Sequence, residues 1–263
     1  CALFAQRLGR AVKYRYARKE DMVQTGKRHD FSAGIRLGAD EDGVLQAADF
    51  HLAAKCGFSP DLSDGIVDRA MLHADNAYFI PRARITGLRM KTNTVSNTAF
   101  RGFGGPQGML AMEAAMDDLA YRLGEEPLVV RQRNFYREGH DLTPYKQQVK
   151  QLCIGPLVED LVIGSEYWAR RAAIKKHNQG NPRWRKGISL NPVKFGISFT
   201  LKHLNQASAL VHLYTDGSIE VAHGGTEMGQ GLYTKVRAIV ARAFGVPVSC
   251  VLNAATRTDK IPN

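Results

Sequence analysis

Two glycine-rich runs hold the residues with the most chemistry in them. The first is Thr98-Ala99-Phe100-Arg101-Gly102-Phe103-Gly104-Gly105-Pro106-Gln107, and the second is Gly224-Gly225-Thr226-Glu227-Met228-Gly229-Gln230-Gly231. Each ends where an apolar pattern of helical period begins. A helix start leaves backbone N–H groups unpaired and carries partial positive charge, so a glycine-rich entry can bring that backbone up to an anionic or polar ligand. Arg101 adds a permanently charged fork of donors. Neither run has the G-x-x-x-x-G-K-[ST] spacing of a nucleotide-phosphate loop or the strict G-x-G-x-x-G of a dinucleotide site, which leaves some other polar, phosphate-bearing group. One such turn is ordinary chain geometry. Two of them, the second interleaving Glu227, Met228 and Gln230 with glycines, point to a cofactor. Taken singly, Met228 reads as core and Gln230 as a helix N-terminal cap.

The elements around the loops follow from pattern. Ala2, Leu3, Ala5 and Leu8 share a helical face that Gly9 ends, as in the tail of a helix. Residues 31–37 and 44–58 alternate like strands across the polar loop 38–43 and predict a hairpin. Residues 85–97 carry strand-like residues, and 107–122 place Met109, Leu110, Met112, Ala115, Met116, Leu119 and Ala120 on one helical face, with Pro106 near its start and Gly124 as its stop. A further helix is expected around 166–177, broken by Asn178 to Pro182, and then a long β segment. Its clear strands are 209–214 and 218–223 about Asp216-Gly217, followed by a helix through Leu232, Val236, Ile239, Val240 and Ala243 that stops at Gly245. The pattern is thus strand, glycine loop, helix, twice over, in an α+β chain of mixed sheets with packed helices.

Composition narrows the function. The chain has 263 residues, 44% hydrophobic and 23% charged, enough to bury a real core, with no apolar run long enough to span a membrane. Cys1, Cys56, Cys153 and Cys250 form no C-x-x-C pair, so neither a metal site nor a disulfide framework is expected, and a cytoplasmic location is the simplest reading. With 36 Lys and Arg against 25 Asp and Glu, the net charge of +11 invites a nucleic-acid reading. It fails, because the basic stretches 7–28, 82–91 and 169–186 carry no recognised binding motif and only Trp168 and Trp184 as candidate stacking residues. A solvated face, partly steering an anionic ligand and partly covered by acidic partner segments, fits better. The opening at Cys1 and the close at Asn263 read as a piece of a longer chain.

The run 97–107, the run 195–200 with Asn205-Gln206, and the run 223–231 together resemble the molybdenum-binding part of the xanthine dehydrogenases and oxidases, in collinear order over essentially the whole chain. The resemblance implies a molybdopterin-type molybdenum cofactor. By motif position Arg101, Met228 and Gln230 are its contacts, with Gly102, Phe103, Gly104, Gly105 and Gly229 letting backbone approach. It implies two cofactor-binding halves, 1–153 and 154–263, and a partnership with the remaining parts of the same subunit in an oligomer. Iron–sulfur (2Fe-2S) and FAD centres would lie on other segments or subunits.

The same resemblance implies a purine substrate, hypoxanthine or xanthine, hydroxylated at a ring carbon with oxygen from water. Arg69 takes the place of an arginine that reads the purine. A guanidinium there can bind a carbonyl oxygen and stabilise charge that builds on the ring, a preorganised donor whose loss commonly costs about 10²–10³ in rate. Read without the resemblance, Arg69 is a solvated helix-end residue. Phe103 and Phe199 take the two aromatic positions that hold a flat substrate, one stacked and one edge-on, a geometry that contributes roughly 0.5–1.5 kcal/mol per pair. Thr200 would donate to a substrate oxygen, and Leu62, Leu201 and Leu204 would wall the approach. The purine-binding carboxylate and the general base of the family match nothing within 1–263, and Glu227 corresponds to neither. Two alternatives stay open: a molybdenum hydroxylase for an aldehyde or another N-heterocycle, which Arg69 disfavours for aldehydes, and a cofactor-binding fragment inactive by itself.

Overall fold

Alternation drives the first sheet. In β2 (Leu45–Gly57) the side chains of Ala48, Phe50, Leu52, Ala54 and Cys56 fall on one buried face, every second residue. β1 (Phe31–Ala39) pairs with it antiparallel, from Phe31 opposite Ala54 to Leu37 opposite Ala48, with a bulge between Gly38 and Ala39. Asp40 shapes the connection, its Oδ1 accepting the Val44 N–H at 2.8 Å. β3 (Ala83–Lys91) pairs with β2 in parallel, which requires a crossover, supplied by α3 (Ser63–Leu72). The computed structural model describes residues 1–257 and 259, and contacts divide the chain into two units, 1–200 and 201–263.

In the first unit α4 (Gly105–Leu123) has Pro106 in its first turn and Gly124 in the left-handed conformation at its end. Its Met112, Met116 and Ala120 are fully buried with Phe50, Leu52, Ala70 and Tyr78 in one core. Each large apolar side chain buried there contributes about 1.5–3 kcal/mol. The core also holds a charged knot. Glu113 accepts from Asn76 Nδ2 at 2.8 Å, from the Tyr78 hydroxyl at 2.6 Å and from Arg131 Nε at 2.7 Å, which satisfies a guanidinium that is only 1% exposed. The remaining helices are α1 (Ala2–Leu8), α2 (Arg18–Gln24), α5 (Pro127–Arg133), α6 (Ile154–Gly164) and α7 (Tyr167–Gly180). Val158 of α6, Tyr167 of α7 and Leu190 join the same core.

The second unit repeats the strand pattern on a smaller scale. β4 (Ala209–Leu213) and β5 (Ile219–His223) form the hairpin about Asp216 and Gly217, β6 (Val251–Asn253) runs parallel to β5, and α8 (Leu232–Phe244) makes the crossover. Ile219, Val221, Ala241 and Val251 are its buried core.

The hairpins, the helix at 107–122 and the helix stopped by Gly245 stand as the pattern indicates. One expectation needs correction. The long β segment after residue 182 contains no strand before β4, because 183–200 spends its backbone groups on side chains of the first unit instead of a ladder. α2, α3, α5, α6 and β6 were not anticipated. Seven-residue helices give too few repeats to show a period, and in α6 Gly155 and Pro156 read as breakers although proline is tolerated in a first turn.

Candidate functional site

The first glycine loop is shaped by its packing on α3. Gly102, Phe103 and Gly104 all take positive φ, 96°, 51° and 95°. For phenylalanine that conformation is strained and marks a position held by its surroundings. The Phe103 N–H donates to Phe100 O at 2.8 Å and the Gly105 N–H to Gly102 O at 3.0 Å, folding the loop into two tight turns. A Cβ on Gly104 would collide with the Ile66 carbonyl of α3, one on Gly108 with the Ala70 carbonyl a turn further on, and one on Gly105 with the Phe195 ring. These glycines therefore let α4 cross α3 in backbone contact. Beneath the loop, Arg28 lies over the Phe100 ring at 4.4 Å and its Nη2 donates to the Arg101 carbonyl. Its Nη1 is buried, with no hydrogen-bond partner among the described residues. A buried guanidinium N–H without an acceptor, next to a loop that carries Arg101, suits an anionic group, so this loop fits a phosphate-bearing cofactor.

The loop's turn directs Phe103 at α3, where four of the expected substrate residues meet. The Phe103 and Phe199 rings lie 5.4 Å apart at 52°, and the Arg69 guanidinium is 5.7 Å from the Phe103 centroid. Gly65 borders the cluster: a Cβ there would stand 3.1 Å from the Phe103 ring and 3.4 Å from Thr200 Oγ1. Arg69 is 5% exposed, not the solvated helix-end residue its neighbours in sequence suggest. Its two terminal nitrogens donate to the carbonyls of Gly196 and Ser198. Burial lowers its pKa. Arg69 Nε and Thr200 Oγ1 are both buried and lack hydrogen-bond partners among the described residues. Two unsatisfied polar atoms beside two aromatic rings can bind a flat ring bearing polar edges.

The second loop satisfies itself. Glu227 takes the place of an external anion at the start of α8: its Oε1 accepts the N–H of Gly229 at 2.8 Å and of Gly231 at 3.0 Å, and its Oε2 that of Tyr233 at 3.2 Å. Burial pushes the carboxyl up, but these amides and that of Leu232 outweigh it and hold the acid below its ordinary range. Gln230 is not the cap that its position suggests. The N-cap is Gly231, while Gln230 Oε1 accepts the Met228 N–H at 2.6 Å and its Nε2 donates to Thr226 O at 2.9 Å. Met228 is 56% exposed, against the reading of it as core. With the helix-start amides engaged by Glu227, the loop does not fit an anion on those N–H groups.

Leu62 forms the N-cap of α3, while Leu201 caps and Leu204 ends the short 3-10 turn Lys202–Leu204 that opens the second unit, and all three are exposed. Sequence reasoning missed Arg28, Gly65 and His73, which no motif singles out. It also passed over Glu227 as a loop-organising acid, although a carboxylate four residues before a helix-start glycine is a readable signal.

The fold and its loops suit a cofactor-binding protein, and similarity to known proteins identifies the class. Models of the molybdopterin cofactor-binding domain match residues 1–135 and 161–263. The chain belongs to this family. It is 49% identical over 94% of its length to the xanthine dehydrogenase of Dictyostelium discoideum and 45% identical over all of it to the xanthine dehydrogenase/oxidase of Gallus gallus. It spans 18% and 19% of those proteins, about a fifth of their length. Among solved structures it resembles the aldehyde oxidoreductase of Desulfovibrio gigas at 26% identity and TM-score 0.76, covering 99% of this chain and 28% of that one.

Proposed function

We propose that the chain is part of the molybdenum-cofactor region of a xanthine dehydrogenase that hydroxylates hypoxanthine and xanthine to urate. Oxygen would come from water, and electrons would leave to iron–sulfur and flavin centres on other segments or subunits. The cluster of Arg69, Phe103, Phe199 and Thr200 carries this reading, because it offers a flat heterocycle two ring faces, a fixed positive charge and two polar atoms without partners among the described residues.

The cofactor, when bound, supplies the redox chemistry. The chain's own residues bind and polarise. Arg101, Gly102, Phe103, Gly104 and Gly105 are proposed as cofactor contacts on the first loop, with Met228, Gly229 and Gln230 on the second. Phe103 and Phe199 fix the plane of the purine, the Arg69 guanidinium draws electron density toward a ring carbonyl, and the Thr200 hydroxyl donates to a second oxygen. Leu62, Leu201 and Leu204 exclude water along the approach. A charge that strengthens as the ring becomes anionic binds the transition state more tightly than the ground state, the condition for lowering a barrier. The two halves of the cofactor-binding region are proposed to meet at 153/154, within an oligomer in the cytoplasm. None of the helices among the described residues is long and apolar enough to cross a membrane.

The likeness to an aldehyde oxidoreductase favours a second reading, oxidation of an aldehyde. A small aldehyde would leave the Arg69 charge without an acceptor. Urate formation from xanthine and molybdenum content of the full-length protein, compared with its Arg69→Met variant, test the choice. A loss of about 10²–10³ in purine turnover at unchanged metal content is expected. Undiminished turnover, with no gain on aldehydes, would remove Arg69 from the site.

A further inference from the structure

The chain from Pro192 to Ser198 has neither helix nor strand, and the end of α3 with the bend after it holds this stretch in place. Asn76 Nδ2 donates to Pro192 O at 2.9 Å and Asn76 Oδ1 accepts the Lys194 N–H at 3.1 Å. Lys194 Nζ pairs with Asp75, and Arg69 reaches the carbonyls of Gly196 and Ser198. Central to the row is His73, 5% exposed, at the C-terminal end of α3. Its Nδ1 lies 2.8 Å from the Arg69 carbonyl, and its Nε2 accepts the Gly196 N–H at 3.0 Å. A carbonyl only accepts and an amide N–H only donates, so the ring must be neutral with its proton on Nδ1. Its ring packs against Phe195, tilted by 47° with the centroids 4.8 Å apart.

We propose that His73 is a positioning residue for the purine site: as the neutral Nδ1–H tautomer it latches Gly196 to the end of α3, which aligns the Gly196 and Ser198 carbonyls with Arg69 and sets where Phe199 and Thr200 stand. The proposal rests on the reading of Arg69, Phe199 and Thr200 as purine contacts. Protonation of Nε2 would point two N–H donors at each other and open the latch. Burial lowers the imidazole pKa from 6.5, and the charges of Arg69 on α3 and Lys194 on the latched stretch lower it further against the Arg69 carbonyl, which favours the protonated ring. Of the acids on this row, Asp75 is paired with Lys194 and with the Tyr136 hydroxyl, and Glu113, which accepts from Asn76, is paired with Arg131. The latch is therefore complete above pH 6.5 and is lost as pH falls through the lowered value.

The test uses the full-length protein with His73→Leu and His73→Gln, the glutamine amide keeping one donor and one acceptor. Hydrogen exchange at the Gly196 amide should quicken roughly 5- to 150-fold in H73L at neutral pH, the cost of leaving a buried donor unpaired. The KM for xanthine should rise in H73L with molybdenum content unchanged, and H73Q should recover both the protection and much of the KM. Acidification should release Gly196 in the parent protein but not alter it further in H73L. Unchanged Gly196 protection in H73L would overturn the latch, and a released Gly196 with an unchanged KM would overturn its role in positioning. A Gly196 released in H73L but protected in a parent protein that turns over no purine would count against the purine reading and leave the latch in place.

Discussion

Gly104→Ala separates two reasons for a glycine at the first loop. With φ at 95°, an alanine there carries the penalty of a left-handed residue, about 1–2 kcal/mol. It also drives a Cβ into the Ile66 carbonyl oxygen, 2.9 Å from the carbonyl carbon and 3.1 Å from the Ala70 nitrogen, on a helix whose backbone cannot swing aside. Clearing that oxygen to the 3.0 Å below which real Cβ contacts essentially never fall takes a displacement of about 1 Å. Because Phe103 precedes Gly104 directly, its ring would move with the loop, and a misplacement of about 1 Å can cost on the order of 10² in rate. Gly124→Ala is the matched control: it caps the other end of α4 at φ 69°, with nothing within 4 Å of its Cβ. Thermal midpoints and xanthine turnover of the full-length variants would be compared. Both should lose stability, G104A more than G124A, and only G104A should lose turnover by about two orders of magnitude. Equal effects in both assays would refute the argument that backbone contact with α3 places the loop.

Two other changes test the parts that hold the loops. Glu113→Ala would leave Arg131 buried with the exposed Asp117 as its one ionic partner among the described residues, and breaking a buried ion pair by removing one member costs about 3–5 kcal/mol; a thermal midpoint within a degree of the parent would contradict it. Glu227→Gln should speed hydrogen exchange at Gly229 and Gly231 at neutral pH, since the carboxylate is their acceptor. In the parent, the Glu227 carboxyl is held below 4.5, so its loop bonds are complete above that pH and are lost as pH falls through the lowered value. Protection of those two amides that is the same in E227Q and parent would show that another group caps α8.

Much of this was legible in the sequence where the signal is local. The buried face of β2 shows because every second residue is apolar, and α4 shows because nineteen residues display its period over several turns. The Asp216-Gly217 turn is written in its own residues. The site was less legible because its geometry comes from contacts distant in sequence. Nothing near Arg69 indicates that it is buried, since Gly196 and Ser198, more than 120 residues away, accept its hydrogen bonds. α3 itself is masked by Asp64, Gly65, Asp68 and Arg69, whose polarity hides the stripe of Ile66, Val67 and Ala70, while Arg89 of β3 neutralises both acids from outside. The resemblance supplied Arg69, Phe103, Phe199 and Thr200, but not His73 or Gly65, which touch them.

The two glycine loops, alike in sequence, differ in physics. Both follow a strand and precede a helix, yet the second opens the crossover helix of its own sheet, while the first follows the third strand and opens a helix lying against the crossover helix. That difference sets what the glycines do. Beside α3 the space at Gly104, Gly105 and Gly108 is filled by protein, so those residues permit close packing, and a side chain at any of them strikes backbone or an aromatic ring. At α8 a Cβ on Gly231 meets nothing within 4 Å, so its demand is the positive φ of 74° that lets the chain turn around the Glu227 carboxylate. At the first loop a buried guanidinium nitrogen has no hydrogen-bond partner among the described residues, and at the second a carboxylate already engages the helix-start amides. On the proposed reading, phosphate recognition would fall to the first loop and contacts with neutral polar atoms to the second, a division that the shared pattern of glycines conceals.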